Sequence, residues 1–146
     1  MAGPHRRRRR RDFYTHWITD RIRFSDTDQV GHVNNLAVAA YVETGRLYHS
    51  AEVLQPLLDD GDGFILARVE IDYLAELRFG GQVDIGTRLV RLGGSSLTVG
   101  SAVFGPDGRC VAVADSIVAH LGPNGPTPFS AAVRRRLEGH LPPDAS

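Results

Sequence analysis

The sequence FSDTDQVGHVNN (residues 24–35), followed by an apolar segment over residues 36–54, decides the fold of this chain. A strand-like run ends there, the carboxylate of Asp28 follows, and Gly31 permits a sharp turn before His32. The segment after the turn contains no proline, and apolar residues cover most of its helical circumference in the first turns. The stretch therefore predicts a tight loop that leads into one long, largely buried helix.

Asn34 and Asn35 stand at the predicted start of this helix. Asparagine is a favoured N-cap because its side-chain oxygen accepts one of the unpaired N–H groups of the first turn. The other unpaired N–H groups, together with the positive end of the helix dipole, point back toward the loop. We therefore expect the Asp28 carboxylate, the His32 imidazole and a row of free amide donors to share one small volume.

The rest of the chain predicts one strand before the helix and four after it. Residues 13–24 are rich in aromatic and β-branched residues, which favours a first strand. After the helix, glycine-rich turns separate four strand-like runs at residues 64–73, 82–92, 96–104 and 109–120, and a short helix follows at 131–139. Gly45 lies inside the long helix, where we expect another backbone to approach closely. The order indicates an α+β domain, an antiparallel five-stranded sheet wrapped around one central helix.

Length and composition are those of a single globular domain of 146 residues, with 42% hydrophobic and 23% charged residues. We predict an Arg-rich disordered tail over residues 1–12, one folded domain over 13–140 and a loose C-terminus over 141–146. No apolar run reaches the roughly 18 residues of a membrane span. The single cysteine, Cys110, rules out an internal disulfide and fits a reducing compartment, so we expect a cytoplasmic protein.

The formal net charge of zero conceals an uneven distribution of charge. The run from Arg6 to Arg11 contains six of the 17 basic residues, which leaves 11 basic against 17 acidic residues elsewhere. A folded body of that charge is not expected to bind nucleic acid. The arginine run itself is typical of a solvated tail, although basic tails also bind nucleic acids or anionic membranes.

The motif FSDTDQVGHVNN, followed at residues 40–46 by AYVETGR, closely resembles the hotdog-fold acyl-CoA thioesterases of the 4-hydroxybenzoyl-CoA thioesterase type. The order of one strand, one helix and four strands is also that of the hotdog fold, so the resemblance covers about residues 15–139. It implies hydrolysis of an acyl-CoA, or of an acyl carrier protein thioester, without a cofactor. It also implies a homodimer or a homotetramer, with each active site between two subunits.

The resemblance implies a catalytic carboxylate at Asp28. Some branches of the family place the essential carboxylate on the helix instead, which makes Glu43 a second candidate. Thioester hydrolysis also needs an oxyanion site, and the N–H groups at a helix start, here those of Leu36 and its neighbours, are suited to that task. The sequence leaves open whether Asp28 activates water as a general base or attacks the carbonyl carbon itself.

The loop residues have structural interpretations as well. Aspartate is common in turns because its side chain bonds its own backbone, and we assign that role to Asp26. Gly31 belongs to the turn. His32 either orients water or substrate beside Asp28 or serves the structure alone. Two aspartates and one histidine are too few for a typical metal site, so we expect no metal.

The helix residues have structural interpretations too. Asn34 and Asn35 are first of all caps, and Asn35 could also position substrate or water. Glu43 and Arg46 have the i, i+3 spacing of an ion pair, which favours a role in holding the shape of the site. An unpaired carboxylate on so apolar a helix would be costly, so Glu43 should have a partner or a function.

Two other functions stay open at this point. A hotdog enoyl-CoA hydratase or acyl carrier protein dehydratase also pairs aspartate with histidine near a helix, but its Gly-Asp-x-Asn-Pro-x-His loop is absent from this chain. A non-catalytic acyl-thioester-binding module could use the same fold. The phosphates of CoA call for arginine at the mouth of the pocket, and five arginines are candidates: Arg68, Arg78, Arg88, Arg91 and Arg109.

Overall fold

The computed structural model describes residues 5–144, which form one antiparallel sheet and two α-helices. In chain order the elements are β1 (His16–Arg21), α1 (Asn35–His49), β2 (Gly63–Tyr73), β3 (Gln82–Leu92), β4 (Ser96–Phe104), β5 (Cys110–Gly122), β6 (Gly125–Pro126) and α2 (Ala131–Glu138). Short 3-10 turns lie at Arg11–Phe13 and Phe24–Asp26, on either side of β1. A π-helical turn at Ser50–Leu54 extends α1, so the helical segment ends close to the predicted residue.

The sheet has the strand order β1-β3-β4-β5-β2, with the two-residue strand β6 added to β5. All neighbouring strands are antiparallel, and β3, β4 and β5 form the predicted meander. The strands β1 and β2 lie at the two edges, because each pairs with one neighbour within the described part of the chain. The predicted fold, a five-stranded antiparallel sheet around a central helix with a short C-terminal helix, is confirmed.

Helix α1 packs across one face of the sheet, which we call the inner face. Val38, Tyr41 and Val42 are buried there against side chains such as Ile85 and Val103. The opposite side of the helix is open, with Leu36, Leu47 and Tyr48 exposed. The prediction of a largely buried helix is therefore met on one side only in the single chain, because the sheet can cover only one side of a helix that lies on it.

A second cluster on the inner face joins α2 to the far end of the sheet. Val133 and Leu137 of α2 pack with Leu54, Leu89 and further apolar side chains of β4 and β5. The Ser130 hydroxyl caps α2 by accepting from the Val133 amide at 3.2 Å. These contacts fix the C-terminal helix, whose start was predicted correctly.

The outer face of the sheet is covered by residues 5–15. Phe13 and Tyr14 are buried there with Ala102, Phe104 and Val113. Within residues 5–12, part of the segment predicted to be a disordered tail, Arg8 and Arg11 pair with carboxylates on the strands. Residues 1–4 and 145–146 lie outside the described residues. No described helix is long and apolar enough to span a membrane.

Candidate active site

A cavity of about 580 Å³ lies where the loop after β1 meets the start of α1 and the end of β2. Its walls come from the loop and helix start and from the five residues that follow Asp72. The lining residues are Asp28, His32, Val33, Asn34, Asn35, Val38, Tyr73, Leu74, Ala75, Glu76 and Leu77. Four predicted site residues thus line the same cavity: Asp28, His32, Asn34 and Asn35.

The Asp28 carboxylate is held by the turn that follows it. Its Oδ1 accepts from the amides of Val30 at 2.9 Å and of His32 at 3.1 Å. The Asp28 amide donates to the His32 carbonyl at 2.8 Å, and Gly31 has φ +83°, a conformation that favours glycine. The turn therefore fixes the orientation of the carboxylate and leaves it exposed at the cavity wall.

Asn34 is the N-cap of α1. Its Oδ1 accepts from the Ala37 amide at 2.7 Å. The amides of Asn35 and Leu36 precede the first residue that can bond a carbonyl within the helix, so they are free to bind an anion or a carbonyl oxygen. The Leu36 side chain is 83% exposed and does not line the cavity, so any role of Leu36 there falls to its backbone.

The His32 imidazole contacts a segment that the sequence did not link to it. Its Nε2 lies 3.1 Å from Arg78 Nη2, which can donate to it, and 3.3 Å from Glu76 Oε2. The two backbones form an isolated β-bridge between His32 and Arg78. Among the described residues, the partners of the ring are therefore Arg78 and Glu76, whereas Asp28 contacts the His32 backbone.

Two of the five candidate arginines thus contact residues of this cavity through their side chains. Arg78 contacts His32, and the Arg109 guanidinium donates to the Glu76 carbonyl at 3.3 Å. Arg88, by contrast, was wrong as a candidate for the cavity mouth. It is buried on the outer face of the sheet, where its Nη1 donates to the Phe13 carbonyl at 2.8 Å. The reason is the strand register, which turns Arg88 away from α1.

Asp26 ties the loop to the helix. Its Oδ2 accepts from the Tyr41 hydroxyl at 2.6 Å and from the Arg23 amide at 2.9 Å, and its carbonyl accepts from the Asn34 amide at 2.9 Å. Burial and the bond to Asp26 raise the pKa of Tyr41, so the hydroxyl stays a donor. These contacts match the structural role assigned to Asp26.

Glu43 lies in a second cavity, of about 410 Å³, between α1 and β2. Its Oε2 is 3.7 Å from an Arg46 nitrogen, and the Arg46 side chain also donates to the Ser116 hydroxyl at 3.3 Å. Arg46 is 6% exposed, and this burial lowers its pKa. Tyr73 lines both cavities and donates to the Asn35 carbonyl at 3.2 Å, so the two cavities adjoin at this residue.

Sequence reasoning missed Tyr73 and residues 75–77 as cavity residues. Tyr73 ends a strand with ordinary alternation, the other three follow it, and no motif marks any of them. Only the pairing of β2 with β5 and the bridge to His32 bring them to the start of α1. Among the residues that the structure describes, no group of three or more His, Cys, Asp or Glu side chains could hold a metal ion.

The curled antiparallel sheet around one central helix defines the chain as a hotdog-fold protein. Residues 22–137 match the family model of the thioesterase-like superfamily. Because the match covers most of the chain, the protein belongs to this superfamily and is a thioester hydrolase.

Solved structures of similar proteins agree with this assignment. A thioesterase from Thermus thermophilus, complexed with coenzyme A and Zn, is 32% identical, covers 85% of this chain and 98% of its own, and superposes with a TM-score of 0.73. A predicted thioesterase from Bacillus stearothermophilus is 27% identical, with coverage of 86% and 95% and a TM-score of 0.72. A thioesterase superfamily protein from Jannaschia Sp. CCS1 is 27% identical, with coverage of 85% and 81% and a TM-score of 0.72. None of the curated proteins matches the chain.

Proposed function

We propose that the protein hydrolyses an acyl-CoA to the free acid and CoA, with Asp28 as its catalytic residue. One observation carries this proposal: the Asp28 carboxylate and the first turn of α1 line the same cavity. A similar thioesterase, 32% identical, has been crystallised with coenzyme A, which supports CoA as the thiol half of the substrate. An acyl carrier protein thioester presents the same reacting group, so it belongs in the same substrate panel.

The helix start supplies the oxyanion site in this mechanism. The thioester oxygen accepts from the free amides of Asn35 and Leu36, and charge that develops on it is stabilised by these donors and by the helix dipole. Removal of one such donor typically costs about 3 kcal/mol of transition-state stabilisation. Because the donors belong to the backbone, the Asn34 cap serves the chemistry by keeping the first turn in place.

Asp28 acts on the carbonyl carbon from the loop side of the cavity. It either takes a proton from a water that adds to the carbon, or adds through its own oxygen to give an anhydride that water then cleaves. In both routes the C–S bond breaks and the CoA sulfur leaves as a thiolate, which needs no strong general acid. His32, held between Arg78 and Glu76, positions the neighbouring substrate or water.

Asp28→Asn tests this proposal with little risk to the fold. Asparagine keeps an Oδ1 that accepts from the amides of Val30 and His32, so the turn is retained while the negative charge is lost. We expect kcat for a panel of acyl-CoA esters to fall about 100-fold or more, measured by release of free thiol. Circular dichroism and the melting temperature should stay close to the wild-type values.

Asp26→Asn is the matched control, because it removes the same charge two residues away. It keeps an acceptor for Tyr41 and should retain most of the activity. Undiminished thiol release by Asp28→Asn, or a larger loss in Asp26→Asn, would remove Asp28 from the mechanism.

We further propose that a second copy of the chain completes the molecule as a homodimer that covers the free edge of β2. Along this strand Ile65, Leu66, Val69 and Tyr73 are exposed, although they are large and apolar. The cavity that contains Glu43 opens beside the same strand. A partner on this edge would pair with the free backbone N–H and C=O groups of β2 and close the cavity. Glu43 and Arg46 would then shape the acyl-binding groove.

The proposed compartment is the cytoplasm. Cys110 is the one cysteine in the sequence, so the chain needs no oxidising compartment to fold. Its thiol is half-buried in β5, and burial raises its pKa, which makes it a poor nucleophile.

A further inference from the structure

Residues 5–15, the N-terminal strap, cross the outer face of the sheet from β2 to β3. Three basic residues at a spacing of three pair with carboxylates on three different strands: His5 with Asp72 of β2, Arg8 with Asp115 of β5, and Arg11 with Asp84 of β3. The acidic surface of the sheet and the basic segment are thus complementary in charge. The strap is therefore a fixed part of the folded surface.

Packing and hydrogen bonds add to these ion pairs. The Tyr14 hydroxyl donates to the Arg8 carbonyl at 2.7 Å. The Tyr14 ring covers Gly86, where any Cβ would overlap it, so the glycine makes room for the strap. Below the strap, Arg88 of β3 donates to the Phe13 carbonyl at 2.8 Å. The backbone of the strap is therefore held at Arg8 and at Phe13.

A cavity of about 630 Å³ lies between the strap, β3 and the C-terminal segment. Its described lining contains four arginines and one carboxylate: Arg6, Arg7, Arg10 and Arg88 with Asp12, beside Phe13 and Pro143. The Asp12 carboxylate is already paired, because Arg10 donates to its two oxygens at 3.0 and 2.6 Å. A second carboxylate near the cavity, Asp144, pairs with Arg7 at 2.7 Å. Within residues 5–144, the other two arginines of this cavity, Arg6 and Arg88, have no carboxylate within ion-pair distance.

Arg88 is the unusual member of this group, because it is only 9% exposed. Its hydrogen-bond acceptors are neutral carbonyls, those of Phe13 at 2.8 Å and His140 at 3.5 Å, and within residues 5–144 no carboxylate lies within ion-pair distance. Its Nε is buried without a partner there. A buried cation that has only neutral acceptors is costly unless an anion comes close.

We propose that this arginine-lined cavity binds a phosphate-bearing anion with at least two negative charges. Such an anion matches the excess of two positive charges, and guanidinium groups bind phosphate oxygens in pairs. The site is separate from the candidate active site, because Arg88 and the strap lie on the outer face whereas α1 lies on the inner face. The proposal does not rest on the thioesterase assignment.

Calorimetric titration of the full-length protein tests the site, with sodium pyrophosphate and ADP as probes at about 50 mM salt. We expect saturable binding of one anion per chain. The probe that binds more tightly indicates whether the ligand is an inorganic phosphate or a nucleotide. Arg6→Glu should weaken binding about tenfold or more, since it replaces one charge-assisted contact by repulsion. Arg9→Glu is the matched control, because Arg9 is exposed in the same strap but does not line the cavity. It should change the affinity less than about threefold.

Two further variants separate a built cavity from diffuse attraction to the arginine run. Asp144→Asn removes a competing carboxylate beside Arg7 and should tighten binding about threefold. Arg88→Gln, checked by circular dichroism for its fold, should lose at least about tenfold in affinity. Wild-type affinity in folded Arg88→Gln, equal weakening in Arg6→Glu and Arg9→Glu, or absence of saturable binding by the wild type would overturn the proposal.

Discussion

His49 is a buried histidine in the last turn of α1, outside the candidate active site. It is 1% exposed, and the centroid of its ring lies 5.4 Å from that of His16. Its Nδ1 has no hydrogen-bond partner within the described residues. Burial lowers the pKa of His49 to about 4, and the nearby His16 and His140 act in the same direction. The folded protein therefore holds this ring neutral at neutral pH.

This neutral histidine predicts a loss of stability in acid. As the pH falls below about 6.5, the unfolded chain binds a proton at this position while the folded chain does not until about pH 4, so the free energy of unfolding decreases. Between pH 7.5 and pH 5 the loss from His49 should be about 2 kcal/mol. Urea unfolding of the wild type and of His49→Gln at both pH values measures it. Equal pH dependence in the two proteins would contradict the prediction.

Among single residues, the hydrogen bonds also separate Asp26 from Asp28. Two aspartates in one loop have the same turn-forming chemistry, so the sequence ranks them only through the family motif. In the structure Asp26 bonds the Tyr41 hydroxyl, and Asp28 lines the cavity beside the helix start. The catalytic role of Asp28 stays a prediction until its variant is assayed.

Helix α1 lies against β3 at Gly45. A Cβ at this position would overlap the side chain of Ile85 and lie 3.3 Å from the Thr87 hydroxyl oxygen. The expected close approach of another backbone was wrong in its partner, because the nearest atoms belong to the side chains of Ile85 and Thr87. Glycine costs the helix about 1 kcal/mol relative to alanine, and the close packing of α1 on β3 offsets it.

Gly45→Ala should lower the free energy of unfolding by about 1 kcal/mol. The overlap with Ile85 costs about 1–3 kcal/mol, and the gain in helix propensity returns about 1 kcal/mol. In an Ile85→Ala background the overlap is relieved, so the same substitution should be neutral or stabilising. Urea unfolding of the four proteins in this double-mutant cycle shows whether the effect of Gly45→Ala on the free energy of unfolding changes sign. An equal loss in both backgrounds would exclude the proposed contact.

For the whole molecule, the two faces and two edges of the sheet have different environments. The strap covers the outer face, and α1 covers the inner face. Among the strands that the structure describes, none pairs with the outer side of the edge strand β2, where Ile65, Val69 and Tyr73 are exposed. An open apolar edge of this kind favours association, and a second copy is the partner proposed above.

Val69→Arg should disrupt the proposed homodimer, because it would bury a charge in the apolar contact. At micromolar concentration we expect the mass from light scattering to fall toward that of one chain, 15.9 kDa. Ala132→Arg, on the exposed side of α2, introduces the same charge far from β2 and should leave the assembly unchanged. A wild type that is itself monomeric, or an unaffected Val69→Arg assembly, would refute this interface.

The sequence by itself determined the elements and their order. The predicted strands at 82–92 and 96–104 match β3 and β4 to the residue, and the helix start lies at the Asn34 cap. Caps, glycine turns and alternation act over a few residues, so they can be read locally. The same local reading predicted that Asp28, His32, Asn34 and Asn35 lie close together, since all lie within eight residues of one another. In the structure they line one cavity.

Only the tertiary structure decided which distant residues meet these elements. The β-bridge brought Arg78 to His32, and strand register turned Arg88 away from the helix. Carboxylates on three strands pair with His5, Arg8 and Arg11 of the N-terminal segment. The β-bridge and the three ion pairs each join residues more than 40 positions apart. Their partners are set by the pairing of strands and the packing of side chains, which no short stretch of sequence encodes.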